Sequence, residues 1–211
     1  MDLDILKQAV TKGRFKEIEQ LTRQALEDGS TPRQILDQAL VPAMEMVGAM
    51  FSAGDIFIPE MMVSAKVMQK SLDVLKPLMV GDITSNVGRF AIGTVKDDLH
   101  DIGKNIVISM MQGAGFEVID LGIDCPPEKF IQAIKDGAQL LGMSAILTTV
   151  VENIRRTIEA IKESGLREQV KILAGGAAVN ESLALKMGAD AYCEDAGEAP
   201  PKAKSLLAQL G

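Results

Sequence analysis

The sequence predicts an α/β protein in two parts: an N-terminal four-helix bundle, then a five-stranded parallel sheet with helices on both faces. Three observations predict it. Apolar residues recur at spacings of three and four up to about residue 80, and beyond it apolar runs of strand length alternate with helical segments. The change of period falls on VGDITSNVG, 80–88, which reads as a linker. The parts so defined are residues 1–85 and 86–211.

Leu3, Ile5, Leu6 and Val10 mark a short first helix, and Phe15, Ile18, Leu21 and Ala25 a second. GSTP, 29–32, supplies a stop and a start, with Gly29 at a C-cap position, Thr31 as N-cap and Pro32 as the first helical residue. A third helix runs through Ile35, Leu36 and Leu40, and Pro42 is expected to kink or break it. FSAGDIFIPEMM, 51–62, is a turn between apolar flanks, after which a fourth helix runs to about Leu78. The strands are RFAIGTV, FEVIDLG, LLGMSAI, VKILAGG and a short ADAYC. Helices are expected near 103–114, 127–137, 151–165, 180–188 and 196–209. Five such units imply a doubly wound, Rossmann-like sheet in flavodoxin-like order. Sheets of this kind bind ligands at the carboxyl ends of their strands, at the switch point between the first and third.

Composition narrows the function. Of 211 residues, 47% are apolar and only 3% aromatic, so the core is aliphatic and the composition argues against stacking on nucleobases. A net charge of −7 argues against nucleic acid and anionic membrane, which need clustered Lys and Arg. MDLDILKQAV lacks a signal-peptide core and no 18 apolar residues run together, which points to the cytoplasm. Cys125 and Cys193 form no metal-like pair and are expected to be buried thiols. The seven methionines between Met44 and Met79 suit irregular core gaps first, and an apolar cover for a cofactor second.

VKDDLHDIGKN, 95–105, holds the chain's single histidine, just beyond the first strand. Neutral imidazole is a good transition-metal ligand, and a carboxylate on its other nitrogen fixes the tautomer. Asp98, two residues earlier, is within reach of His100. One strong donor is too few for a bare ion, but it suffices as the axial ligand of a metal already held in a macrocycle. Gly103 and the Gly175–Gly176 pair then let a large cofactor approach the backbone. Structural alternatives stand beside each assignment: a solvated histidine, and a glycine pair that only makes a strand-to-helix turn. Asp97 and Asp98 also suit the acidic pair of a phosphoacceptor receiver domain. That reading fails, because SAILTT supplies no acceptor aspartate after strand three and YCED no lysine after strand five.

Asp98-x-His100-x-x-Gly103, Ser144-x-Ile146 and Gly175–Gly176, in that order and spacing, resemble the cobalamin-binding signature of methyltransferases and some mutases. MVGAMFSAGDIFIPEMMVSAKVMQKSL, 46–72, resembles the helical cap beside that domain in methionine synthase and in the small corrinoid proteins of methanol and methylamine systems. The resemblance covers essentially the whole chain. It implies a bound corrinoid, cobalamin, with His100 as the axial cobalt ligand in place of the cofactor's own base. Asp98 would hydrogen-bond His100, beside Asp101, and the nucleotide tail would lie past Gly103, Ser144, Ile146, Thr148, Gly175 and Gly176. Phe51 and Ile58 match the cap positions that shield the methyl face, with Met61 and Met62 beside them. Two departures stand out. Ile146 replaces the usual Leu, and Val150 replaces the serine that completes a proton relay in methionine synthase, so that the task falls to Thr148, Thr149 or water, or is absent.

The function so implied is a methyl carrier, not catalytic alone. It would take a methyl group on cobalt from a substrate-specific methyltransferase and deliver it to an acceptor methyltransferase, with a reductive activase as a further partner. A cap over the methyl face must move for either partner to reach cobalt, which places a hinge in residues 80–88. The alternatives are the cobalamin-binding subunit of an adenosylcobalamin mutase and a cobalamin-dependent sensor. The first needs room for a bulky adenosyl group, the second a DNA-reading module for which no basic helix is present.

Overall fold

A computed structural model describes residues 2–78 and 87–210 of the chain. Its contacts divide into two compact units, Met1–Val87 with Gln112–Gly115, and Gly88–Met111 with Phe116–Gly211. The hinge expected at 80–88 lies, for residues 80–86, outside the described residues.

In the first unit, α1 (Asp4–Thr11) buries Leu6, Ala9 and Val10, and α2 (Ile18–Glu27) buries Ile18, Thr22 and Ala25. The second helix ends as its sequence requires. Gly29 takes φ +93°, its N–H donates to the Leu26 carbonyl, and the Ser30 N–H donates to that of Ala25. Thr31 and Gln34 then cap α3 (Pro32–Ile35) reciprocally: the Gln34 N–H donates to Thr31 Oγ1 and the Thr31 N–H to Gln34 Oε1.

Pro42 does not interrupt the helical path. The chain widens into a π turn, Leu36–Leu40, and continues as α4 (Val41–Ser52), with the Val41 N–H reaching back five residues to the Leu36 carbonyl. A wider turn makes room for a ring that would otherwise strike the carbonyl four residues before it. Helix α5 (Ile58–Leu75) stops three residues before the expected Leu78, because Pro77 restricts the residue before it and the chain tightens into a 3₁₀ turn, Lys76–Leu78. The buried face of α5 includes Met61, Val67, Met68 and Leu75, and a buried hydrogen bond of 2.7 Å between Ser71 and Thr22 fastens it to α2.

In the second unit, the described residues form a five-stranded parallel sheet ordered β2-β1-β3-β4-β5. The strands are β1 (Arg89–Val95), β2 (Glu117–Cys125), β3 (Leu140–Ser144), β4 (Lys171–Gly175) and β5 (Ala191–Cys193). Between and after them run α6 (Ile102–Gly113), α7 (Pro127–Lys135), α8 (Glu152–Glu163), α9 (Glu181–Met187) and α10 (Ala199–Leu207). Strand β2 outlasts its expected end at residue 122, because Gly122, at φ +85°, absorbs a bulge and lets pairing with β1 resume at Val95 and Cys125. Strand β3 stops short of Ile146 for a different reason: the Ile146 N–H leaves the ladder for a side chain of the next loop over.

The order is the expected one, so its switch point lies between β1 and β3. Register places Thr94 beside Ser144, Ser144 beside Gly175, and Gly175 beside Cys193. One row across the sheet therefore joins the carboxyl ends of four strands. None of the described helices is long and apolar enough to cross a membrane.

Candidate functional site

The loop between β1 and α6 opens off that row. Its centre is Asp98, whose side chain is fully buried. Oδ1 accepts from His100 Nδ1 at 2.7 Å and from the His100 N–H at 3.1 Å; Oδ2 accepts from the Ile146 N–H at 2.7 Å. Burial opposes charge on this carboxyl, but the N–H donors of Ile146 and His100 outweigh it and hold the group below its ordinary pKa. An ionised Asp98 requires the proton of neutral His100 to sit on Nδ1, so Nε2 carries the lone pair. Thr94, buried, steadies the other side of the loop by donating from Oγ1 to the His100 carbonyl at 2.8 Å.

The imidazole is half exposed, and its surroundings are unusual for a surface loop. Leu99 is 68% exposed, Ile102 75% and Leu147, next to Ile146, 44%. A histidine with an available lone pair thus stands among open aliphatic side chains, the surface a flat apolar ligand covers. Among the described residues no three His, Cys, Asp or Glu side chains converge as a bare-ion site would require.

The glycines of the signature separate into two kinds. A Cβ on Gly103 would meet nothing within 4 Å, so the polypeptide itself has no need of a glycine there. Gly176, at φ +115°, is demanded by the fold: its Cβ would lie 2.2 Å from the Ala145 carbonyl oxygen. Likewise a Cβ on Gly175 would lie 2.9 Å from the Cys193 carbonyl oxygen. The space beside Gly103, the apolar rim and the single imidazole donor together fit a large planar group bearing its own metal.

Other expected residues fall on the same edge. Ser144 ends β3, Ile146 is half-buried, and Thr148 is exposed in the turn just after it. Asp101, exposed, precedes α6 and accepts from Asn105 Nδ2. Among the described residues every donor to the Asp98 carboxylate is a nitrogen, Thr148 and Thr149 are exposed, and Val150 is packed in the core. In the helical unit, Phe51 is half-buried near the end of α4, while Ile58 and Met62 lie one turn apart on α5 and are exposed beside Phe57 and Val63. Met61, expected beside them, is fully buried instead.

Two features were not singled out from the sequence. Lys104, buried directly after Gly103, donates from Nζ to Asp120 Oδ1 at 2.6 Å and to Asn105 Oδ1 at 2.9 Å. Asp124, at the end of β2, bonds to the His100 loop. The available signal was position alone, and only for Asp124, which lies at the carboxyl end of a strand next to the switch point.

Comparison with known proteins agrees with this geometry. A B12 binding domain model matches residues 88–203, and a second B12 binding domain model matches residues 3–76. Dimethylamine corrinoid protein 1 of Methanosarcina acetivorans is 45% identical over 179 residues, 84% of this chain and 84% of that one. A cobalamin-binding protein from Desulfitobacterium hafniense DCB-2 superposes with a TM-score of 0.83 at 30% identity, covering 97% of this chain and 98% of the other. The methanol:cobalamin methyltransferase complex MtaBC of Methanosarcina barkeri contains a chain that superposes with a TM-score of 0.83 at 28% identity, covering 96% and 78%.

Proposed function

This chain belongs to the B12-binding family of corrinoid proteins, and from that premise we propose that it carries a methyl group on cobalt between two methyltransferases. The observation that carries the proposal is the Asp98–His100 pair, which leaves Nε2 as a donor beside an open apolar surface. A bound corrinoid supplies a cobalt centre that accepts and releases a methyl group; the chain supplies the rest.

In this reading His100 would hold cobalt through Nε2, while Asp98 keeps the imidazole in the tautomer that leaves Nε2 free and would raise its donor strength. Leu99, Ile102 and Leu147, exposed around His100, would keep water from the bound group. Gly103 would leave room for the nucleotide tail, which would pass Ser144, Ile146 and Thr148, and Asp101 would also take part in binding the cofactor. Gly175 and Gly176 shape that passage by letting neighbouring backbones close on one another. We assign residues 1–85 as the cap and 86–211 as the cofactor domain, with Phe51, Ile58 and Met62 as the cap residues that would shield the methyl group. What supports this last assignment is the exposure of Ile58 and Met62 on the helical unit, with Phe51 half-buried.

The relative at 45% identity suggests a methylated amine as the methyl source. We also assign an acceptor methyltransferase and a reductive activase as partners, and the cytoplasm as the location; two unpaired buried thiols suit a reducing compartment.

The test is the visible spectrum of protein reconstituted anaerobically with cobalamin, beside His100→Ala. Histidine ligation in the parent that disappears in the variant is expected. A parent that binds no corrinoid, or binds it identically without His100, overturns the proposal.

A further inference from the structure

Lys96, Asp97 and Asp98, three consecutive residues of the His100 loop, all bond to one residue on the adjacent strand. Lys96 Nζ donates to Asp124 Oδ1 at 2.6 Å, and the Asp97 N–H donates to the same oxygen at 2.8 Å. The Asp124 N–H completes the set by donating to the Asp98 carbonyl at 3.0 Å. From the far side, Asn153 Nδ2 holds the Lys96 carbonyl at 2.7 Å.

The two backbones at this junction are unusual. Among the described residues, Asp97 at φ +67° and Asp124 at φ +49° are the only non-glycine residues in the left-handed region. That conformation is unfavourable for a side chain and persists only where the surroundings over-determine it. Here each supports the other: the Asp124 side chain fixes the Asp97 N–H, and the Asp124 backbone fixes the residue after Asp97.

We propose that Asp124 is a positioning residue for the axial ligand, a clamp from β2 that holds Lys96–Asp98 so that Asp98 presents His100 to cobalt. The proposal rests on the assignment of His100 as that ligand. Asp98 must accept from the His100 loop with one oxygen and from Ile146 with the other. A loop released at residues 96–98 loses that two-sided placement, and the imidazole loses its pose. The Lys96 ammonium and the Asp97 N–H also hold the Asp124 carboxyl below its ordinary pKa, so the clamp is charged at neutral pH.

Because the chain has one histidine, ¹⁵N-histidine labelling of untagged protein reports His100 alone. Parent, Asp124→Asn, Asp124→Ala and Asp124→Gly would be compared in two states. Apo-protein gives the ¹⁵N resonances and hence the tautomer of His100; protein loaded with cobalamin and reduced to Co(II) gives the nitrogen splitting of the cobalt signal by electron paramagnetic resonance.

Asn keeps an acceptor oxygen and tolerates the left-handed region, so Asp124→Asn should retain the parent tautomer and splitting. Ala and Gly remove the acceptor. Each should mix the tautomers in the apo-protein and lower the ratio of histidine-ligated to unligated cobalt about tenfold, the effect of losing one charged hydrogen bond. If Gly behaves as parent while Ala does not, backbone strain and not the clamp is responsible, and the proposal fails. If both match the parent, it fails outright. A parent with no histidine-derived splitting would instead refute the ligand assignment, and the clamp's function with it. A variant that did not fold would leave the other two to decide.

Discussion

Replacing Gly103 by alanine separates a glycine kept for the fold from one kept for a ligand. The residue is the second of α6, its φ is not positive, and a Cβ there meets no atom within 4 Å. On the polypeptide alone the change is favourable, since glycine inside a helix costs roughly 0.5–1 kcal/mol relative to alanine. Apo-protein carrying Gly103→Ala should therefore be as stable as the parent, or more so by about 0.5 kcal/mol, in urea unfolding. If the open space receives the nucleotide tail, the same methyl overpacks a filled site at a cost of ~1–3 kcal/mol. That corresponds to a cobalamin Kd raised roughly 5- to 150-fold, read by titrating apo-protein and following the visible spectrum. A destabilised apo-protein would mean the fold does need the glycine. An unchanged Kd with unchanged stability would mean the cofactor does not use the space.

Gly176→Ala should do the reverse, costing about 3–5 kcal/mol of apo-protein stability from forbidden φ and overpacking together; a urea midpoint near the parent's would contradict the 2.2 Å approach to Ala145. Asp120→Ala strands the buried Lys104 ammonium on Asn105 alone. The cost should be about 2 kcal/mol, less than the ~3–5 for a wholly buried pair because the Asp120 side chain is half open to water. Burial pushes the Asp120 carboxyl up, but Lys104 and the Gly122 N–H more than offset it, so its folded pKa is lowered. The stabilisation is then fully present above the ordinary value near ~3.9 and disappears as pH falls through the lowered one. Urea melts between pH 6 and pH 2 should show parent and variant converging only at the acid end; a gap independent of pH would exclude the charge as its source. Burial pushes the Cys193 thiol up to about 12 and the Cys125 thiol upward too. A thiol reagent at pH 8 should leave both unmodified until urea is added, and rapid labelling of native protein would count against their burial.

The alternation of strands and helices was legible because each element carries its own period, and so was the loop bearing His100, which a single local motif marks. What was not legible depends on distant partners. Pro42 was expected to kink or break its helix; it does not break it, because the residues just before it widen into a π turn, a choice no residue type announces. The end of β3 is set by Asp98, 48 residues away, which takes the Ile146 N–H out of the ladder. Asp124 reaches the His100 loop only because a bulge at Gly122 shifts the register between β1 and β2. Lys104 shows the same limit: a lysine on a helix ordinarily faces water, and only the placement of Asp120, 16 residues on, explains its burial.

These long-range ties also reconcile the two readings of the glycine pair. Gly176 packs against the Ala145 backbone, and the Ala145 N–H donates to the Gly175 carbonyl at 3.1 Å, so the two loops close on each other. That closure places the next residue, Ile146, with its N–H on Asp98 Oδ2, and Asp98 in turn holds His100 by Oδ1. A glycine that the fold demands on steric grounds therefore also contributes to the site through Ala145, Ile146 and Asp98. Gly103 has no such chain of contacts and gains a purpose only from what binds beside it. Residual folded Gly176→Ala should therefore lose histidine ligation as well as stability, whereas Gly103→Ala should keep the Asp98–His100 pair intact and lose only affinity.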